Sequence, residues 1–129
     1  MADGTGKRVL VVDDASLVRL YYRDALEQAG YAVDEALNGL EALEKLLVRP
    51  VDLLVVDVNM PQMDGLTFLK VLRRQDLPVA SIPALVTSTE AGPQDIAAAR
   101  AAGANFYLVK PVPRDVLAAY AAMLCGDAA

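Results

Sequence analysis

Five times along this chain a short apolar run, rich in β-branched residues, gives way to a segment of helical period. That alternation constrains the fold more than any other feature. The first run is Arg8–Val12, and after it Val18, Tyr21, Tyr22, Ala25 and Leu26 recur at helical spacing. Ser16 is placed to cap this helix and Gly30 to end it. Ala32–Ala36 reads as a second strand. Asn38-Gly39 opens a second helix with Leu40, Leu43, Leu46 and Leu47 on one face, and Pro50 closes it. Leu53–Asp57, LLVVD, is apolar without alternation, the pattern of a parallel strand buried on both faces. Leu66, Leu69 and Leu72 stripe a third helix. PALVTS is a fourth strand, Pro93–Ala102 a fourth helix with proline in its first turn, FYLV a fifth strand and residues 113–124 a fifth helix.

The order (βα)₅ predicts an α/β fold: a doubly wound, five-stranded parallel sheet with helices on both faces and right-handed crossovers. The five units use nearly all of the 129 residues, so a single domain over 1–129 is expected, with a short flexible tail at 1–6. At 55% hydrophobic and 22% charged, the composition supports a packed core and excludes a disordered chain. A formal net charge of -5 argues against direct nucleic-acid binding. No apolar run could span a bilayer and the start, MADGTGKR, has no apolar leader, so a cytoplasmic protein without membrane contact is expected. Cys125, the one cysteine, excludes an internal disulfide and reads as a small apolar residue on the last helix. GTGK at 4–7 precedes a strand and lacks the rest of a phosphate-binding loop.

The chain contains no histidine. That removes Ser-His-Asp and Cys-His nucleophile systems and His-ligated zinc, and it means that this chain cannot itself carry phosphohistidine.

In an open α/β sheet, ligands bind outside the carboxyl ends of the strands. Strand one here ends in Asp13-Asp14, strand three in Asp57, strand four in Thr87-Ser88 and strand five in Lys110-Pro111. Singly, each has an ordinary explanation: a helix-capping Asp, a β-branched strand residue, a solvated loop lysine. Jointly they bring three carboxylates, a hydroxyl pair and an ammonium to one edge. Two carboxylates ~4 Å apart repel by roughly 4 kcal/mol at an effective dielectric of about 20, so one is protonated or a cation sits among them. Oxygen donors without His or Cys favour Mg²⁺. An ion with an incomplete protein shell would take its last ligand from a phosphoryl oxygen, with Lys110 and Thr87 suited to the others. A carboxylate can be the nucleophile, giving an acyl phosphate, and Asp57 is the best placed.

The motifs VLVVDDAS, EALNGLEAL, DLLVVDVNMPQMDG, LVTS and AGANFYLVKP resemble the receiver domain of two-component response regulators across essentially the full chain, the single-domain CheY-like kind in particular. The resemblance implies the flavodoxin-like strand order 2-1-3-4-5. It implies that Asp57 accepts a phosphoryl group from a sensor histidine kinase or histidine phosphotransfer protein. Mg²⁺ would be held by Asp13, Asp14, Asp57 and the backbone carbonyl of Asn59. Thr87 would bind the phosphoryl group and shift inward, Lys110 would pair with it, Tyr107 would be the rotamer-switch aromatic, and Lys110-Pro111 would be cis. The output surface would be the fourth helix, fifth strand and fifth helix. DDASLVR resembles the chemotaxis type, which favours a flagellar-motor target over a role as phosphorelay intermediate.

The chain departs from the family at Ser88, where Ala or Gly is usual, at Val112-Pro113, where an aromatic is common, and in the Ala-rich fourth helix. Thr89 and Asn59 occupy positions that tune dephosphorylation in the family. A receiver fragment of a longer regulator or hybrid kinase is an alternative. An Asp-nucleophile phosphatase would need a second Asp two residues after Asp57, and that position is Asn59. A flavodoxin-like FMN site would place an anion where Asp13-Asp14 repel it. The expected chemistry is that of a signalling switch, not of an enzyme with a separate substrate.

Overall fold

The computed structural model describes residues 6–126. Five parallel strands stand in the order β2-β1-β3-β4-β5: β1 Arg8–Val12, β2 Ala32–Ala36, β3 Leu53–Asp57, β4 Ala84–Ser88 and β5 Phe106–Val109. Helices α1 Ser16–Gln28, α2 Gly39–Val48, α3 Gly65–Leu72, α4 Pro93–Ala102 and α5 Arg114–Cys125 make the crossovers, and a 3₁₀ turn, Val79–Ser81, precedes β4. The fold class and strand order are those expected from the sequence. All but one residue of the expected tail at 1–6 lies outside the described residues.

Every residue of β3 and β4 is buried, because helices cover both faces of the central strands. On one face Leu10, Leu54, Val56 and Val86 pack under α2, α3 and α4 around Phe68, Leu69 and Leu72. On the other, Val9, Val11, Val55 and Leu85 pack under α1 and α5 around Tyr22, Leu26 and Leu117. No described helix is long and apolar enough to cross a membrane.

Two local expectations need correction. Ser16 does not cap α1: Ala15 holds the N-cap position without a side-chain cap, and the Asp13 carboxylate just before it accepts the Ala15 N–H at 2.9 Å instead. In α2, Leu43 and Leu46 are buried, but Leu40 and Leu47 are 48% and 64% exposed. The buried arc is completed by Gly39 and Ala42, while Leu40 and Leu47 sit roughly 100° around the helix from its centre. Asn38 does open α2, its side chain accepting the Glu41 N–H at 2.9 Å. Helix α5 runs one residue later than expected at each end, with Pro113 at the N-cap. The Lys110-Pro111 peptide is cis, as the resemblance implies, and so is Leu77-Pro78, which the sequence did not suggest.

Candidate functional site

Strand register assembles the site. Val12 on β1 pairs with Val56 on β3, and Asp57 pairs with Thr87 on β4. Asp13 follows Val12, so β1 and β3 present carboxylates at the same level. Val109 on β5 pairs with Ser88, and Lys110 follows it. Burying a polar group costs free energy unless it gains partners. Yet among the described residues the buried polar and charged ones, Asp13, Asp57, Thr87 and Ser88, all lie at this one end of the sheet.

The Lys110 ammonium bridges two of the carboxylates, 2.9 Å from Asp13 Oδ2 and 3.0 Å from Asp57 Oδ1. Asp14 is exposed beside them, and one carboxylate oxygen from each of Asp13, Asp14 and Asp57 lies within 4.8 Å of the others. Gly65, at the start of α3, closes in from behind. A Cβ there would stand 2.2 Å from the Asp57 carbonyl oxygen, so no side chain fits.

Burial raises the Asp57 pKa above the ordinary carboxylate value; Lys110 pulls it down, and Asp13 and Asp14 push it up again. For Lys110 burial works against the charged form, but its hydrogen bonds to Asp13 and Asp57 outweigh that and leave its pKa raised. Thr87 has the opposite problem. Its Oγ1 is buried and has no hydrogen-bond partner among the described residues, a condition that costs about 1–3 kcal/mol. The buried Tyr22 phenol on α1 reaches the vicinity of Thr87 and Lys110, with its pKa raised by burial, but the approach stops short of a hydrogen bond.

Behind Thr87 the chain turns into the β4–α4 loop, and both backbone groups of Glu90 are held there. Ser88 Oγ accepts its N–H at 3.0 Å, and the Tyr107 hydroxyl donates to its carbonyl at 2.7 Å. Ser88 therefore braces the loop with its hydroxyl.

The structure thus brings together Asp13, Asp14, Asp57, Thr87 and Lys110. Asn59 lies exposed on the β3–α3 loop, two residues after Asp57. Tyr107, half-buried on β5, contacts the loop and not the carboxylates. Sequence reasoning missed Tyr22, taken only as part of a helix stripe, and Arg19, whose Nη1 donates to the Asp13 carbonyl at 2.7 Å. The apolar company of Tyr22 gave no sign of a hydroxyl reaching the strand ends.

The family model for the response regulator receiver domain matches residues 9–122, and the chain belongs to that family. It is 44% identical over 106 residues to a protein-glutamate methylesterase/protein-glutamine glutaminase of Archaeoglobus fulgidus, covering 81% of this chain and 30% of that protein. It is 34% identical over 111 residues to the CAI-1 autoinducer sensor kinase/phosphatase of Vibrio cholerae, covering 86% of this chain and 16% of that one. The chain therefore spans less than a third of the length of these curated relatives. Among solved structures it is similar to chemotaxis protein CheY4 of Vibrio cholerae, with TM-score 0.85, 35% identity and coverage of 92% and 98%. It is also similar to the receiver domain of a Syntrophus aciditrophicus signal transduction histidine kinase, with TM-score 0.87, 29% identity and coverage of 94% and 91%.

Proposed function

We propose that Asp57 is the phosphoryl acceptor of this receiver and that the chain is a switch read by a downstream protein. The observation that carries the reading is the partnerless Thr87 hydroxyl, paired in register with Asp57, whose carboxylate the Lys110 ammonium contacts at 3.0 Å. A phosphoryl group on Asp57 would accept hydrogen bonds from both. The donor is a phosphohistidine on a sensor histidine kinase or histidine phosphotransfer protein, as membership of the receiver family implies; this chain, which has no histidine, would receive the group and not supply it. An Asp57 carboxylate oxygen bonds to phosphorus, the P–N bond breaks, and the departing imidazole takes up a proton.

Asp13, Asp14 and Asp57, with the Asn59 carbonyl, would hold Mg²⁺; the fit rests on three converging carboxylates and an all-oxygen donor set. Bound there, Mg²⁺ supplies neutralisation of the charge that builds on the transferring group. Lys110 keeps the Asp57 oxygen oriented, and Thr87 receives the transferred group. With Thr87 drawn toward it, the adjoining Ser88–Glu90 loop and Tyr107 shift together, passing the change to the surface of α4, β5 and α5. The reading places the protein in the cytoplasm, where histidine kinase domains act. Similarity to CheY4 favours a chemotaxis partner such as the flagellar motor switch. A second reading, a relay intermediate or the receiver part of a longer regulator, is favoured by the sensor kinase relative, of which the chain covers only 16%.

The test is intact mass after incubation with Mg²⁺ and acetyl phosphate, beside Asp57→Ala. One Mg²⁺-dependent phosphoryl adduct, absent from the variant, is expected. No adduct on the wild-type chain, or an adduct that survives in the variant, would overturn the assignment.

A further inference from the structure

Asp13 is fixed at every polar atom. Its N–H donates to the Ala36 carbonyl on β2 at 3.1 Å. Its Oδ1 accepts from the Ala15 N–H and its Oδ2 from Lys110. Its carbonyl accepts from Arg19 Nη1 at 2.7 Å. The same guanidinium places Nε 2.9 Å from Glu35 Oε1 on β2, and this pair is largely buried, with side chains 12% and 29% exposed. Arg19 thus joins α1 and β2 to the peptide that connects Asp13 with Asp14.

We propose that Arg19, oriented by Glu35, is a positioning residue for the divalent-ion site, setting where the Asp13-Asp14 carboxylates stand. The proposal rests on the reading of that cluster as a Mg²⁺ site. Mg²⁺ demands near-ideal octahedral geometry and tolerates displaced ligands poorly, and groups that orient metal ligands commonly change affinity by about 10- to 100-fold when removed. Of the two Asp residues, Asp14 is exposed and depends on the shared peptide for its place. A guanidinium suits this task because its rigid planar fork holds a carbonyl and a carboxylate in fixed directions, which the flexible point charge of a lysine does not.

The molecule supplies its own control. Arg23, one turn further along α1, also pairs with Glu35, at 2.7 Å, and with Glu27, at 3.1 Å, but does not reach the Asp13 peptide. Arg19→Met and Arg23→Met should both loosen the α1–β2 contact, and only the first should disturb the ion site. Charge alone predicts the opposite sign, since removing a cation near a cation site strengthens Mg²⁺ binding. A loss is therefore specific to positioning.

The experiment is calorimetric titration of Mg²⁺ into the wild-type chain, Arg19→Met, Arg19→Lys and Arg23→Met, with thermal melts of each. A parallel series reads the Mg²⁺ dependence of phosphorylation by acetyl phosphate. Expected are a loss of Mg²⁺ affinity of about tenfold in Arg19→Met, a smaller loss in Arg19→Lys and a change under about twofold in Arg23→Met. The phosphorylation rate should need more Mg²⁺ in Arg19→Met and recover at saturation. If Arg19→Met does not fold, Arg19→Lys against Arg23→Met decides in the same way. Equal or tighter Mg²⁺ binding by the Arg19 variants, with wild-type binding intact, overturns the positioning role alone. Absence of Mg²⁺ binding by the wild-type chain overturns the ion site and the positioning role together.

Discussion

Asp57 is 6% exposed, and burial holds its pKa above the usual carboxylate value although an ammonium lies beside it. Folding therefore takes up a proton at pH values between the unfolded and folded pKa of this group, and stability falls as pH rises through that window. Asp57→Asn removes the buried charge and keeps an oxygen for Lys110. It should raise stability at pH 7 in Mg²⁺-free buffer by roughly 1 kcal/mol, and the gain should shrink below the ordinary carboxylate pKa, where Asp57 is protonated. Thermal melts at pH 7 and pH 3 check this; a variant less stable at pH 7, or a gain equal at both pH values, would contradict it. Lys110 carries the reverse obligation, because Asp13 and Asp57 lose their shared cation without it. Lys110→Met should cost about 3–5 kcal/mol at neutral pH, the usual penalty for breaking a buried pair, and added Mg²⁺ should recover part of it. At this scale the sequence was informative where residues end strands, since position alone brought Asp13, Asp57, Thr87 and Lys110 together. It was silent on Arg19, whose partner Glu35 lies 16 positions away on another element.

Helix α2 shows how element-level reasoning goes astray. Leucine recurrence marked four positions, but a short helix lying on a sheet buries an arc, and small residues can occupy its centre. Leu46→Ala should cost about 2–5 kcal/mol, whereas Leu47→Gln should stay within about 0.5 kcal/mol; urea denaturation of the two variants separates them. A cost for Leu47→Gln near that of Leu46→Ala would restore the original stripe. The junction of α3 with α4 was equally illegible. The Arg73 guanidinium, at the end of α3, donates to the carbonyls of Gly103, Ala80 and Ile82, at 2.7, 3.1 and 2.6 Å. Gly103 ends α4 at φ 112°, and a Cβ there would lie 2.7 Å from Arg73 Cγ. Gly103→Ala faces both a left-handed backbone and a steric block, so a loss above about 1 kcal/mol is expected. Melts of Gly103→Ala beside the exposed control Ala101→Gln test it, and a Gly103→Ala variant as stable as wild type would refute it.

For the whole molecule, the (βα)₅ order could be read directly because each strand and helix announces its period locally, and parallel pairing then leaves few topologies. The candidate site could be placed because that topology sends all carboxyl strand ends to one edge. Boundaries of a residue or so, and side-chain links between elements, depend on packing that no local pattern encodes. An ion bound at the acidic cluster would couple to the whole fold. Mg²⁺ at ten times its dissociation constant should stabilise the chain by about 1.4 kcal/mol, and Asp14→Ala should abolish that increment. Melts with and without MgCl₂ measure it, and an equal Mg²⁺ response in the variant would exclude Asp14 from the site. The ammonium of Lys110, lying between Asp13 and Asp57, has a consequence for biosynthesis. A newly made chain brings its own counter-charge to the acidic edge, so the sheet can close at whatever free magnesium level the cell holds. A Mg²⁺ ion bound as proposed would then meet a sheet already closed, acting as a co-reactant that comes and goes.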